Sequence, residues 1–498
     1  MKSRQVLLNA LTTIAQELGS AVVLFFLFRF LVRAIGIERL GIWSLVLATT
    51  SVVTLANQGF STSVVKYIAK YVAQGRREDL SSLVETALIS LGVPLAAVSV
   101  GLYPAARWFL GLLLPHSDLA EAVAILPFAL LSLWLNLLGS ILQAGLDGHE
   151  LISHRNYVLL CSSIFYLLLS YALVPHYGLL GLAYSQTLQD GAWFVATWVL
   201  LRRQIQRLPV VPRRWSCAHF REIAAYGLHF QFITASQAIR EPVTKALLAR
   251  FGGLAMTGLY DMASRWVVSF RELIVQANQV LVPTVANLQE SDPDSLPRVY
   301  RDSYRLIFFL AVPTFASLVA VSPIVSRVWI GRYEPAFVSF VALLAAGWLV
   351  NVLSNPAYVI DLGTGALRWV SVGCFATGIL NLALGFVAGK YLGGTAVVAA
   401  SAFSLALGYV VVVFFYHREN HQPFRVLLPK ESAGIFLSSL IGATLLLTFL
   451  RSPLSDPNRS LLATSTALIA LIPLIVIPMW IHPMRKRLLN WVLSRLPA

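Results

Sequence analysis

Residues 235–248 read ASQAIREPVTKALL and set Arg240, Glu241 and Lys245 within six positions of a segment that otherwise looks like a membrane crossing. On a membrane-insertion scale three central charges cost about 7–10 kcal/mol, and the eight Leu, Ile, Val and Phe residues of 226–250 return only about 2–5 kcal/mol. The charged side of this segment must face protein or water. The chemistry on offer is anion binding: arginine forks hold phosphate oxygens two at a time, and lysine adds a movable point charge.

Other apolar segments add to the set. Glu17 and Arg29 lie in the first, Asp190 in the sixth, and Asp261, Arg265, Arg271 and Glu272 in the eighth. Asp261, Arg265 and Glu272 are spaced i, i+4, i+11 and share one helical face, and Glu241 and Lys245 have the i, i+4 spacing of a local ion pair. Arg240 and Arg271 fall near mid-span. Lys245 is about 7–8 Å outward of Arg240, and Arg265 about 9 Å outward of Arg271. With Arg29 in the outer half, these five cations form an expected column from mid-membrane outward, interrupted by acids. The structural alternative is that they neutralise one another as ion pairs.

The rest of the chain must position these residues. It has 498 residues, 57% hydrophobic and 12% charged, where soluble domains run nearer a quarter charged. The apolar residues fall in runs of roughly 20, long enough to cross a bilayer as helices. Fourteen spans are expected: 8–32, 41–65, 82–106, 121–145, 156–174, 178–201, 223–249, 256–286, 304–326, 336–360, 369–389, 393–416, 432–450 and 461–481. The first is too long for a signal-peptide core and is read as retained. The eighth is over-long, which implies tilt or a bend at Pro283. Basic residues alternate with this count, one side of the membrane holding more than twice the Lys and Arg of the other. That bias predicts both termini in the cytoplasm; the expected location is the plasma (inner) membrane. It also accounts for the net charge of +15, with no nucleic-acid partner implied.

Chemistry of other kinds is not indicated. Cys161, Cys217 and Cys374 are isolated, and His417 and His421 in HRENH do not match a metalloprotease pattern. No phosphate-binding loop, nucleophile elbow or dinucleotide glycine pattern occurs. Neither a metal nor an organic cofactor is expected.

An internal repeat organises the spans. LVRAIGIERLGIW at 31–43 and LARFGGLAMTGLY at 248–260 align at an offset of 217, pairing Gly36 with Gly253, Gly41 with Gly258 and Trp43 with Tyr260. Both stretches lie at the outer turn between the first and second spans of a half. Six spans separate them, so the repeat is parallel. The expected fold is an all-α polytopic membrane protein of about 14 transmembrane helices, in two six-helix lobes plus two C-terminal helices. The lobes run 1–203 and 223–417, joined by a basic linker at 204–222 containing RRQIQRLPVVPRRW, and 418–498 forms the extra helices and tail. The same offset turns Arg240, Lys245, Arg265 and Arg271 into Val23, Phe28, Ala48 and Thr54. The halves share glycine and aromatic packing residues but not the charges, so the common scaffold does not require them.

The G-x-x-x-x-G-x-W turn at 36–43, NQGFSTSVVKYIAKYVAQGR at 57–76 and LQAGLDGHE at 142–150 resemble the oligosaccharide flippases of the multidrug/oligosaccharidyl-lipid/polysaccharide exporter superfamily. The resemblance implies two lobes around a central cavity and alternating access. It implies as cargo a polyprenyl diphosphate-linked oligosaccharide, carried from the cytoplasmic to the outer leaflet for cell-surface polysaccharide synthesis. The cationic-cavity residues would then be Arg29, Arg240, Lys245, Arg265 and Arg271. Such a pathway supplies a polysaccharide polymerase or glycosyltransferases as partners.

Coupling to H⁺ or Na⁺ falls to the carboxylates Glu17, Asp190, Glu241, Asp261 and Glu272, with the central Glu17 preferred. Polar residues within spans, Asn57, Gln58, Gln143, Gln186, Gln189, Gln276, Asn278, Gln279, Asn351 and Asn355, offer hydrogen bonds to sugar hydroxyls or between helices. Prolines 94, 127, 242, 283, 313, 323, 356, 473 and 478 permit bending. The alternatives are a cation-coupled multidrug exporter of the same superfamily and, further off, a polysaccharide polymerase or acyltransferase. A cationic cavity repels organic cations, and no large outside loop or catalytic constellation is present.

Overall fold

The computed structural model describes residues 3–51, 54, 58–205, 208–279, 285, 288–289, 291–451, 473 and 476–485. Thirteen long helices account for most of them, and no strand occurs among the described residues. They are α1 (Ser3–Ala34), α2 (Ile37–Ser51), α3 (Gln58–Ala73), α4 (Arg77–Leu113), α5 (His116–Gly148), α6 (Ile152–Gln204) and α7 (Cys217–Phe251). There follow α8 (Gly253–Gln279), α9 (Leu296–Ile330), α10 (Pro335–Thr364), α11 (Arg368–Leu392), α12 (Gly394–Glu419) and α13 (Ala433–Arg451). Their ends obey local chemistry. Glu78 and Asp79 face the positive end of α4. α9 and α10 carry proline in the first turn and stop at Gly331 and Gly365, both left-handed.

Nine helices among the described residues are long and apolar enough to cross a membrane. α8 is not among them, because the charges singled out above lower its hydropathy, and the side chains of 226–238 in α7 lie outside the described residues. Spans five and six appear as one helical run, α6, whose 53 residues would reach about 80 Å if straight. The run breaks at Gly178 (φ 56°, ψ −130°), three residues past Pro175, where the two spans were expected to meet. Of the second span, expected at 41–65, α2 covers the part up to Ser51 and α3 the part from Gln58, with 52–53 and 55–57 outside the described residues. Asn57, Pro283 and most of span fourteen lie outside the described residues, as does the tail beyond 485. The side chains of Gln58, Asn278 and Gln279 do too.

Contacts divide the chain into two compact units, Met1–Gly258 and Leu259–Ala498. This division falls later than the linker, because α7 packs on α2, α3 and α4. In the first unit Val64, Ile68, Leu83, Val84, Ile141, Leu142, Leu201, Leu208 and Ile223 form a continuous core. In the second, Tyr300, Tyr304, Phe308, Phe309, Ile360, Tyr416 and Ile435 do the same. The repeat is visible in the backbone: Gly36 and Gly253 both take φ near 84°, a conformation that a side chain would strain.

α1 shows how one helix serves two solvents. Leu8, Leu11, Ile14, Leu18, Val22 and Phe26 form an exposed apolar stripe at helical spacing. The other side meets α6 through polar contacts: Asn156 donates to Thr12 and Thr13 at 3.2 and 2.9 Å, and Ser20 meets Ser163 at 3.3 Å.

Candidate functional site

In the first unit the charges come from α1, α6 and α7. Lys245 and Glu241 form the expected i, i+4 ion pair at 2.9 Å. The pair is lopsided: the lysine side chain is 5% exposed and the carboxylate 46%. Arg240, one turn earlier, is buried, and its carbonyl accepts from Thr244 at 2.9 Å. Arg240 and Lys245 are five residues apart, about 140° around the helix, and burial of both cations is unfavourable in lipid, so α7 is built against protein on more than one side here.

Glu17 lies half-buried on the side of α1 that carries Thr13 and Ser20. Arg29 is half-buried near the C-terminal end of α1 and stands eighteen residues, about five turns, from Leu11. It therefore shares the angular sector of the exposed Leu11, Leu18 and Val22. Asp190 on α6 is buried and accepts from two neutral donors of α5, Ser132 Oγ and Asn136 Nδ2, the latter at 3.3 Å. Ser132 and Asn136 are one turn apart, so both reach the same carboxylate.

In the second unit α8 carries two further pairs. Asp261 accepts from Arg265 Nε at 2.9 Å, with the burial reversed: the carboxylate is 5% exposed and the guanidinium 42%. Arg265 is thus the outward-facing member of its pair. Arg271 donates from Nη1 to Glu272 and from Nε to Asn351 Oδ1 at 3.0 Å. Its guanidinium lies over the Trp348 ring, 4.7 Å from the centroid. Trp348 and Asn351 are three apart on α10 and present one face, which fixes the plane of the guanidinium.

Three of the five cations, Lys245, Arg265 and Arg271, are paired with acids of their own helix. What the pairs present is decided by burial: a carboxylate at Glu241, a guanidinium at Arg265. Sequence reasoning missed Ser132, Asn136 and Trp348, and also Asp361, buried at the C-terminal end of α10. Asp361 falls one residue beyond the expected tenth span, which is why it went unweighed. Among the described residues no group of three or more His, Cys, Asp and Glu side chains is placed to hold a metal.

Comparison with known proteins agrees with this layout. The chain is similar in structure to the lipid II flippase MurJ in an inward closed conformation, with TM-score 0.71 and 13% identity over 95% of this chain and 98% of that one. It is similar to an inward-facing multidrug resistance MATE family transporter of the MOP superfamily, with TM-score 0.69 and 14% identity over 80% and 94%. A MATE transporter from Vibrio cholerae gives TM-score 0.58 at 13% identity over 85% and 96%. No curated protein matches the sequence. A family model described as polysaccharide biosynthesis protein matches residues 30–338. The chain, a multi-pass membrane protein with the fold of the MOP-superfamily transporters, belongs to the polysaccharide biosynthesis protein family.

Proposed function

We propose that the protein is a flippase, moving a polyprenyl diphosphate-linked oligosaccharide from the cytoplasmic to the outer leaflet of the inner membrane by alternating access. The observation that carries this reading is the pair of arginines on α8. Arg265 turns its guanidinium outward over a buried carboxylate. Arg271 is held flat on Trp348 by Asn351 and Glu272. Fixed guanidinium groups suit a diphosphate, whose oxygens accept paired N–H donors. Arg240 and Lys245 are further buried cations, within the first unit, and the lipid tail stays in the bilayer while the headgroup crosses. Membership of a polysaccharide biosynthesis family and likeness to a lipid II flippase support the same cargo class. The likeness to multidrug transporters supports a second reading, but exposed arginine disfavours cationic drugs.

The test is a reconstituted assay. Purified protein in vesicles loaded with a lipid diphosphate oligosaccharide on one leaflet is expected to speed its appearance on the other. A multidrug substrate gives no such acceleration. Vesicles in which the glycolipid stays on its own leaflet at the protein-free rate would contradict the proposal.

A further inference from the structure

The segment 202–221 has no part in the site above. It holds six arginines, Arg202, Arg203, Arg207, Arg213, Arg214 and Arg221, and neither lysine nor an acidic residue occurs between Asp190 and Glu222. A segment joining two halves would be a slack tether if only its length mattered. This one is fastened along its backbone. Leu208 is buried in the first unit's core. Glu85, buried on α4, accepts the backbone N–H groups of Arg213 and Arg214 at 2.8 and 2.9 Å. Ser81 donates to its other oxygen at 3.0 Å. Thr86 Oγ1 accepts from the Ser216 N–H at 3.1 Å, and the Trp215 indole donates to Ser90 Oγ at 2.9 Å. The Trp198 indole donates to the Pro209 carbonyl at 3.3 Å.

With the backbone held, the side chains stand outward. Val210 is 68% exposed, Val211 60% and Trp215 51%. Arg202, Arg203, Arg213, Arg214 and Arg221 are exposed beside them. A partner must therefore supply two things at once, an anionic layer for guanidinium groups and an apolar layer for two valines and an indole ring. Nucleic acid supplies phosphates without the apolar layer. The headgroup boundary of a bilayer containing anionic lipid supplies both within a few ångströms. Arginine without lysine suits phosphate diesters, whose oxygens it meets as a planar fork.

We propose that this strap is a docking site for anionic phospholipid headgroups of the inner leaflet. Arg213 and Arg214 engage the phosphates, and Val210, Val211 and Trp215 enter the acyl boundary. The inference rests on the orientation given by the arginine distribution and is independent of the cargo. Glu85 acts as a positioning residue: its carboxylate holds the two arginine backbones at the surface, where both side chains are exposed. The strap runs straight into α7, whose cap is Ser216, so bound lipid bears on the helix that carries Arg240 and Lys245.

The experiment is native mass spectrometry of the full chain, released from detergent with phosphatidylglycerol or phosphatidylcholine of matched acyl chains. The wild-type protein is expected to retain phosphatidylglycerol preferentially. At about fivefold per arginine near a charged surface, Arg213→Gln/Arg214→Gln lowers that preference by about 25-fold. Arg202→Gln/Arg203→Gln, at the other end of the strap, lowers it as well. Arg332→Gln, an exposed arginine paired with Glu334 outside the strap, leaves it unchanged. Equal retention of the two lipids by the wild type overturns the proposal, as does wild-type preference in both arginine variants. Displacement of the lipid by inorganic phosphate alone also overturns it, because the site would then be one for a soluble anion.

Discussion

Gly41 on α2 and Gly258 on α8 cross so closely that neither position has room for a side chain. A Cβ on Gly41 would run into the Leu254 carbonyl, and a Cβ on Gly258 into the Ile37 carbonyl. Gly41 and Gly258 are mates at the offset of 217, and so are Ile37 and Leu254. The contact is thus reciprocal, as in a two-fold interface where residue i meets j and j meets i. The repeated turn packs against its own copy, which explains why glycine occurs at both positions.

Gly41→Ala and Gly258→Ala are each expected to destabilise the protein by about 1–3 kcal/mol, since the obstacle is backbone that cannot rotate away. The double variant costs less than the sum, because once the helices have separated for one methyl group there is room for the other. Thermal unfolding in a mild detergent measures all three. Additive losses would show that the two glycines do not share one contact.

The burial of the Asp261–Arg265 pair makes an asymmetric prediction. Arg265→Gln takes the guanidinium from a buried carboxylate, where breaking a buried pair costs up to about 3–5 kcal/mol. Asp261→Asn leaves an arginine that already faces outward, and costs much less. The double variant Asp261→Asn/Arg265→Gln recovers most of the stability lost in Arg265→Gln alone. Expression level and unfolding temperature report the order, which is reversed if the guanidinium is the buried member.

Glu85 accepts two backbone N–H groups, and hydrogen bonds to a charged acceptor contribute about 1.5–3 kcal/mol each. Glu85→Leu removes both and is expected to free the 208–216 backbone. Hydrogen exchange at Arg213 and Arg214 should then rise at least tenfold while the rest of α4 stays protected. Unchanged exchange would mean that the remaining contacts, through Thr86, Ser90 and Pro209, hold the strap without it. Nearby, burial and then the Glu222 carboxylate raise the Tyr71 phenol above its ordinary range, so Tyr71 stays protonated and donates to Glu222.

Ion coupling is proposed to run through Glu17 or Asp190. Glu17 lies on the polar side of α1, and Asp190 is cradled by Ser132 and Asn136. Glu17→Gln and Asp190→Asn keep size and hydrogen bonding but remove the charge. If either binds the driving ion, its variant still flips lipid down a concentration gradient but no longer responds to a pH or Na⁺ gradient. Transport that responds identically in wild type and both variants would remove these residues from the coupling step.

What the sequence made legible follows from distance along the chain. Glu241 with Lys245 and Asp261 with Arg265 were readable because helix geometry alone joins residues four apart. The break at Pro175–Gly178 and the twin turns at Gly36 and Gly253 were readable from residue type. Arg271 was assigned no particular partner, because neighbours in sequence point to different sides of a helix and its other partners, Trp348 and Asn351, lie some eighty residues away. The donors to Asp190 are 54 and 58 residues away, and Glu85 meets Arg213 across 128. Which member of a pair is buried depends on neighbours that no local pattern specifies.

The flippase reading is tested most directly in the host lacking this gene, by mass-spectrometric measurement of lipid-linked oligosaccharide. The intermediate is expected to accumulate without the gene and to clear when wild type is restored. It should remain high with Arg271→Gln, whose partner Glu272 is partly exposed, at normal protein level. If no lipid-linked oligosaccharide accumulates in any strain, the protein does not move that cargo. If Arg271→Gln clears it as wild type does, the cargo stands and the guanidinium on Trp348 is not where its diphosphate binds.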